Sequence, residues 1–194
     1  MKARRLFLTI ILVLTLLGAL SGLAQVALAA PSTTLIVSEV SYDTPGTDSA
    51  EEWIAIHNLS PDPVDLSNYK VGDEETSGGS EGMFQFPAGA SIAPGQEVVV
   101  AQKASGFYAL YGYNPDYELA DTDPTVPDMS KYTAWSSGNI ALSNDGDEVL
   151  LLDSSDNVVD VVVYEGGSYP GVVSHSAGTG TSESLRRDPI DVDT

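Results

Sequence analysis

Cysteine is absent from this 194-residue chain. No disulfide can brace the fold, and no thiolate is on hand as a nucleophile or a zinc ligand. Histidine is nearly as scarce, with His57 and His175 the only two. Two distant histidines without thiols or a His-Glu-x-x-His pattern leave no zinc ligand set of the usual kind. His57 falls in a strand-like alternation. His175 falls in a small-residue loop, Ser174-His175-Ser176-Ala177-Gly178, without the glycines that flank a nucleophile elbow. The short Gly178-Thr179-Gly180-Thr181 does not match a phosphate-binding loop. With neither base nor metal ligands in place, the chain reads as non-enzymatic.

Basic charge is the second shortage. Eight Lys and Arg face 28 Asp and Glu, a formal net charge of −20. Lys2, Arg4 and Arg5 all lie in the first 30 residues, which carry no acid. The remainder sets five basic residues against 28 acidic ones, a formal charge of −23. That field repels nucleic acid phosphates and anionic membrane surfaces, so nucleic acid is the least favoured partner. It suits solubility, association with cations, and basic partners.

What is present begins with an address. The basic start, the apolar residues 6–20 and the small-x-small site Ala27-Leu28-Ala29 predict a signal peptide over residues 1–29. The exported chain then begins at Ala30 and is secreted; a membrane association would require the leader to be retained. Residues 30–194 are long enough for one hydrophobic core.

The most informative stretch is residues 142–164. Two apolar runs are separated by Asp153-Ser154-Ser155-Asp156-Asn157 and preceded by Asn144-Asp145-Gly146-Asp147, the pattern of a β-hairpin entered through a tight turn. Residues 33–42 read as a first strand. Residues 52–58 alternate, with Ile54 and Ile56 on one face and Trp53, Ala55 and His57 on the other. Short strands are expected at 64–66 and 69–71, a polar mobile loop at 72–82, and alternating Phe84 and Phe86 after it. The turn Ala93-Pro94-Gly95-Gln96 leads into a strand at 97–102. Residues 103–111 form the one predicted helix, with Phe107, Leu110 and Tyr111 at helical spacing. Residues 113–135 read as a long loop, and 182–187 as a last strand. About nine short strands at regular spacing predict an all-β sandwich.

The motifs Glu52-Trp53-Ile54, Asn58 and Pro63-Val64-Asp65-Leu66-Ser67 resemble the early signature of the lamin-tail domain family. So do Ile92-Ala93-Pro94-Gly95, Leu142-Ser143-Asn144-Asp145-Gly146-Asp147 and Ser184-Leu185-Arg186-Arg187, in the same order. The similarity covers about residues 35–187. It implies an immunoglobulin-like β-sandwich of about nine strands. It also implies an exported bacterial binding or tethering module without catalysis, which can stand alone or accompany a nuclease- or phosphatase-type hydrolase. Two departures stand out. Ala55 replaces an acidic residue common in the family, and the chain stops at Asp191-Val192-Asp193-Thr194, where relatives commonly run on to a final aromatic.

Two features could carry binding. Tyr108, Tyr111, Tyr113, Tyr117, Tyr132 and Trp135 cluster around the long loop. Tyrosine and tryptophan suit contact surfaces and stack on sugars. The candidate contact residues are Tyr113, Tyr117, Tyr132 and Trp135, with a protein or polysaccharide at the cell surface as partner. The competing use for these rings is to cover the end of the sandwich. No cofactor is called for, but acidic loops can supply calcium with oxygen ligands. The candidates are Asp121, Asp123 and Asp128, and a second loop of Asp145, Asp147 and Glu148. The resulting expectation is a non-catalytic extracellular interaction module. The alternatives are an accessory domain of an exported hydrolase whose catalytic part lies elsewhere, and a calcium-dependent adhesive domain.

Overall fold

A computed structural model describes residues 34–175, 183–188 and 190. The expected leader, the 178–181 segment and the closing residues 191–194 lie outside the described residues.

β1 (Leu35–Asp43) passes through one helical turn, α1 (Asp48–Glu51), into β2 (Trp53–Asn58). Then come β3 (Val64–Asp65), β4 (Lys70–Gly72), β5 (Met83–Gln85), β6 (Ser91–Ile92) and the longer β7 (Glu97–Lys103). Helix α2 (Ala104–Tyr111) follows β7 directly and is succeeded by β8 (Tyr117–Ala120) and β9 (Ser130–Lys131). The hairpin is β10 (Gly146–Leu152) with β11 (Val158–Glu165), and β12 (Glu183–Arg186) comes last. Nine of these twelve strands exceed two residues, in line with the expected strand count.

The strands form two five-stranded sheets, β12-β1-β2-β7-β8 and β11-β10-β4-β5-β9, with β3 and β6 paired at one side. Every pairing is antiparallel except β7 with β8. The architecture is an immunoglobulin-like β-sandwich. Its core lies between the sheets. Val37, Val40, Ile54, Ile56 and Val100 from the first sheet meet Val71, Phe84, Val149, Leu151 and Tyr164 from the second. Alternation along each strand directs these residues inward. The rings of Tyr42 and Tyr164 stack across the core at 4.1 Å.

The second sheet is covered on both faces. Leu150, Leu152, Val161 and Val163 point away from the main core. They form a second cluster with Met83, beneath Tyr132, Trp135, Tyr169 and Val172. A strand buried on both faces reads as a continuous apolar run, which explains the unbroken Val149-Leu150-Leu151-Leu152.

Two expectations change here. Residues 113–135 are not a structureless loop, because β8 extends the first sheet and β9 the second. The polar segment 72–82 is fastened at both ends. Buried Asp73 accepts hydrogen bonds from the N–H groups of Gly82 (2.6 Å) and Ala141 (2.7 Å). The expected turn at residues 93–96 is closed by a bond from the Gln96 N–H to the Ala93 carbonyl, 3.1 Å.

Candidate binding surface

The outer face of the first sheet carries the side chains that β2 and β7 do not direct into the core. Trp53 lies opposite Ala101 and Ala55 opposite Val99. Helix α2 packs over this face through Phe107, forming a small cluster with Trp53, Ala55 and Ala101. The helix ends at Gly112, whose φ of 77° lies in the left-handed region that glycine adopts without penalty. That reversal folds Tyr113 back onto Phe107, ring to ring at 5.4 Å and nearly perpendicular.

The result is a connected set of four rings. Trp53 meets Phe107 at 5.9 Å and Tyr111 at 6.0 Å, both edge-on. Phe107 and Tyr111 lie 4.6 Å apart. The Trp53 indole N–H donates to the Tyr111 hydroxyl at 3.1 Å. Trp53 and Phe107 are buried, whereas Tyr111 and Tyr113 are 43% and 59% exposed. These rings line a cleft shared with Val99, Glu39, Glu97, Ser184 and Arg186. Its polar side is ordered. Arg186 pairs with Glu39 at 2.8 Å, the Ser184 hydroxyl also donates to Glu39, and the Ser38 hydroxyl donates to Glu97 at 2.6 Å. The cleft thus combines flat apolar faces with carboxylates and a guanidinium, a combination that can stack on a ring and hydrogen-bond its hydroxyls.

The four tyrosine and tryptophan candidates do not come together. Tyr113 belongs to the cleft. Tyr117, on β8 opposite Val100, points between the sheets, is 8% exposed and meets Phe86 edge-on at 5.1 Å. Tyr117 is therefore a core residue and not a contact residue. Tyr132 and Trp135 cover the second sheet. The Tyr132 hydroxyl donates to Asp156 at 2.8 Å beneath Lys70, and the Trp135 indole N–H donates to the Glu74 carbonyl at 2.9 Å. Both serve as a lid on Leu150 and Leu152. Tyr111 stood in the aromatic cluster without being chosen as a contact residue, and Trp53 and Phe107 were missed; the signals were a tryptophan on the face of β2 opposite Ile54, and the i, i+4 spacing of Phe107 and Tyr111.

The acidic candidates are also regrouped. Asp121 and Asp128 approach Glu118, with one oxygen from each within 4.8 Å of the others, while Asp123 stands apart. Asp123 accepts from the N–H and hydroxyl of Thr125 and from Asn114. Glu118 is buried and fully engaged. It receives the N–H groups of Ala104, Thr122 and Asp123 and the Thr122 hydroxyl. Against the cost of burial, these bonds hold its carboxyl below the usual range. Its bond to Ala104 fastens the first turn of α2, a structural role. In the second loop, Asp147 accepts from the N–H groups of Ser143 and Glu148, Asp145 is exposed, and Glu148 is buried. His57 lies opposite Glu97. His175 joins β11 through backbone bonds to Val163 and Glu165.

The two sheets and the ring-lined cleft on the first define an immunoglobulin-like β-sandwich scaffold. Residues 29–166 match the model of the Lamin Tail Domain, and the chain belongs to that family, a non-enzymatic immunoglobulin-like fold. Among solved structures, the chain is similar to a DUF4876 family protein from Bacteroides thetaiotaomicron VPI-5482. The identity is 15% and the TM-score 0.48, with 69% of this chain covered. The chain spans about half of that protein's length, 54%. Curated proteins give no match.

Proposed function

We propose that this chain is an exported, non-catalytic module that binds a polysaccharide at the cell surface through the Trp53–Phe107–Tyr111–Tyr113 cleft. The observation that carries the reading is the pair of exposed tyrosines, Tyr111 and Tyr113 at 43% and 59%, that line that cleft. Exposed large rings held together on a rigid scaffold are a common feature of contact surfaces. Sugar rings present C–H faces to such rings and hydroxyls to carboxylates and guanidinium. The formal charge of −23 on residues 30–194 disfavours acidic polymers, so the ligand is an uncharged or amino-bearing polysaccharide. The basic and apolar leader supports export.

The test is co-sedimentation of the purified chain with insoluble uncharged, amino-bearing and acidic polysaccharides. The expected result is saturable retention on one of the first two classes, weakened at least about tenfold, ~1.4 kcal/mol, by Tyr113→Ala. Retention on none of them, or retention unchanged in Tyr111→Ala/Tyr113→Ala, overturns the reading.

A further inference from the structure

A second assembly of polar groups lies where the β4–β5 loop meets the segment after β9. Glu74, Glu75 and Glu81 each bring a carboxylate oxygen within 4.8 Å of the others. Buried Glu148, at the start of β10, shares a hydrogen bond with Glu75. The ion pairs among the described residues use Asp156, Glu39 and Asp160 instead, so none of them neutralises this group. Glu74 is itself buried and oriented. It accepts from the Thr76 N–H and hydroxyl, both at 3.2 Å, and from the Glu81 N–H at 3.0 Å. A carboxylate has about four acceptor positions, so capacity remains.

An independent observation points to what fills the gap. The Ser136 hydroxyl is buried, at 3% residue exposure, and has no hydrogen-bond partner. A buried hydroxyl without a partner is costly and uncommon. Ser136 lies opposite Gly79 in a parallel bridge, and residues paired this way direct their β-carbons to the same side. A β-carbon added to Gly79 would fall 1.8 Å from a Glu74 carboxylate oxygen. The Ser136 side chain therefore leaves its backbone on the side that the Glu74 carboxylate occupies, and carries its unpartnered hydroxyl there. The two segments are clamped by the Gly78 N–H on the Trp135 carbonyl (2.7 Å) and the Trp135 indole on the Glu74 carbonyl (2.9 Å).

We propose that Glu74, Glu75 and Glu81, together with the Ser136 hydroxyl, form a calcium site that staples the β4–β5 loop to the Trp135–Ser136 segment. Calcium takes six to eight oxygens at roughly 2.3–2.6 Å in flexible geometry, which spaces its ligands about as these oxygens are spaced. Magnesium demands a tighter octahedron. The site lies on the second sheet, so it stands or falls independently of the aromatic cleft.

The test is calorimetric titration of the chelator-stripped chain with calcium chloride and, separately, magnesium chloride, paired with thermal melts. The expected result is one calcium per chain at micromolar to millimolar affinity and a rise in Tm of several degrees. Glu75→Gln/Glu81→Gln should weaken binding at least about tenfold, Ser136→Ala should weaken it less, and Asp128→Asn should leave it unchanged. Both carboxylates of the double variant are exposed, so it is expected to fold. Absence of heat and of any Tm rise at about 10 mM calcium overturns the proposal. So does an equal response to magnesium, or one retained by the double variant, since either reports screening of the acidic surface.

Discussion

Tyr113 and Tyr117 are four positions apart and have opposite surroundings, 59% against 8% exposed. Their substitutions should separate binding from folding. Tyr113→Ala should leave stability within about 0.5 kcal/mol while reducing polysaccharide retention. Tyr117→Ala opens a cavity beside Phe86 and should cost about 3–5 kcal/mol, read by chemical denaturation. A third residue tests the closing strand region. Asp160 is buried, accepts the Val37 N–H at 2.7 Å and pairs with Arg187 at 2.9 Å. Arg187→Met removes the guanidinium that pairs with this buried carboxylate and should destabilise by about 3–5 kcal/mol. A loss under about 1 kcal/mol would show that Asp160 is held by other partners.

At the scale of elements, the hairpin β10–β11 is the centre of the structure because both its faces are covered. Its amide protons should exchange most slowly of all. Leu150→Ala, which empties the space beneath Trp135, should cost about 2–5 kcal/mol. The hairpin was legible because the apolar runs and Asp-rich turn are contiguous. β1, β2 and β7 were legible through alternation, and α2 through the spacing of Phe107 and Tyr111. Residues 113–135 were not legible. β8 is a short strand whose alternation is masked by Glu118, an acid buried because four local donors meet it. β9 has two residues and no pattern. Tyr132 and Trp135 look like contact residues in sequence because nothing local reveals that Leu150 and Leu152 need a cover. The cleft was legible only in part, since it joins rings from β2 and α2, Trp53 and Tyr111, that are 58 positions apart.

For the whole molecule, the shortage of basic residues governs the response to pH. Burial pushes Glu52 to about 7 and Asp73 to about 6, and Glu81 and Glu148 are raised to about 7 and about 8. Each is ordinarily near 4, so the folded state binds more protons between those values. Their contribution is complete below about pH 4 and is lost as pH rises through about 6 to 8. Asp153 and Asp156 are held low and act the other way, losing their contribution in stronger acid. The Tm in chelator should therefore peak in mild acid and fall toward pH 8. A Tm that rises steadily from pH 5 to 8 would contradict this balance.

The central claim is that the chain recognises polysaccharide through one aromatic cleft, and Trp53 is positioned to report it. The most direct measurement is a tryptophan fluorescence titration with soluble fragments of the polysaccharide that retains the chain. Wild type should be followed beside Tyr111→Ala/Tyr113→Ala. A saturable change in emission that disappears in the double variant, with both proteins folded, is the predicted result. A titration curve unchanged by loss of the two tyrosines would place recognition elsewhere and contradict the account.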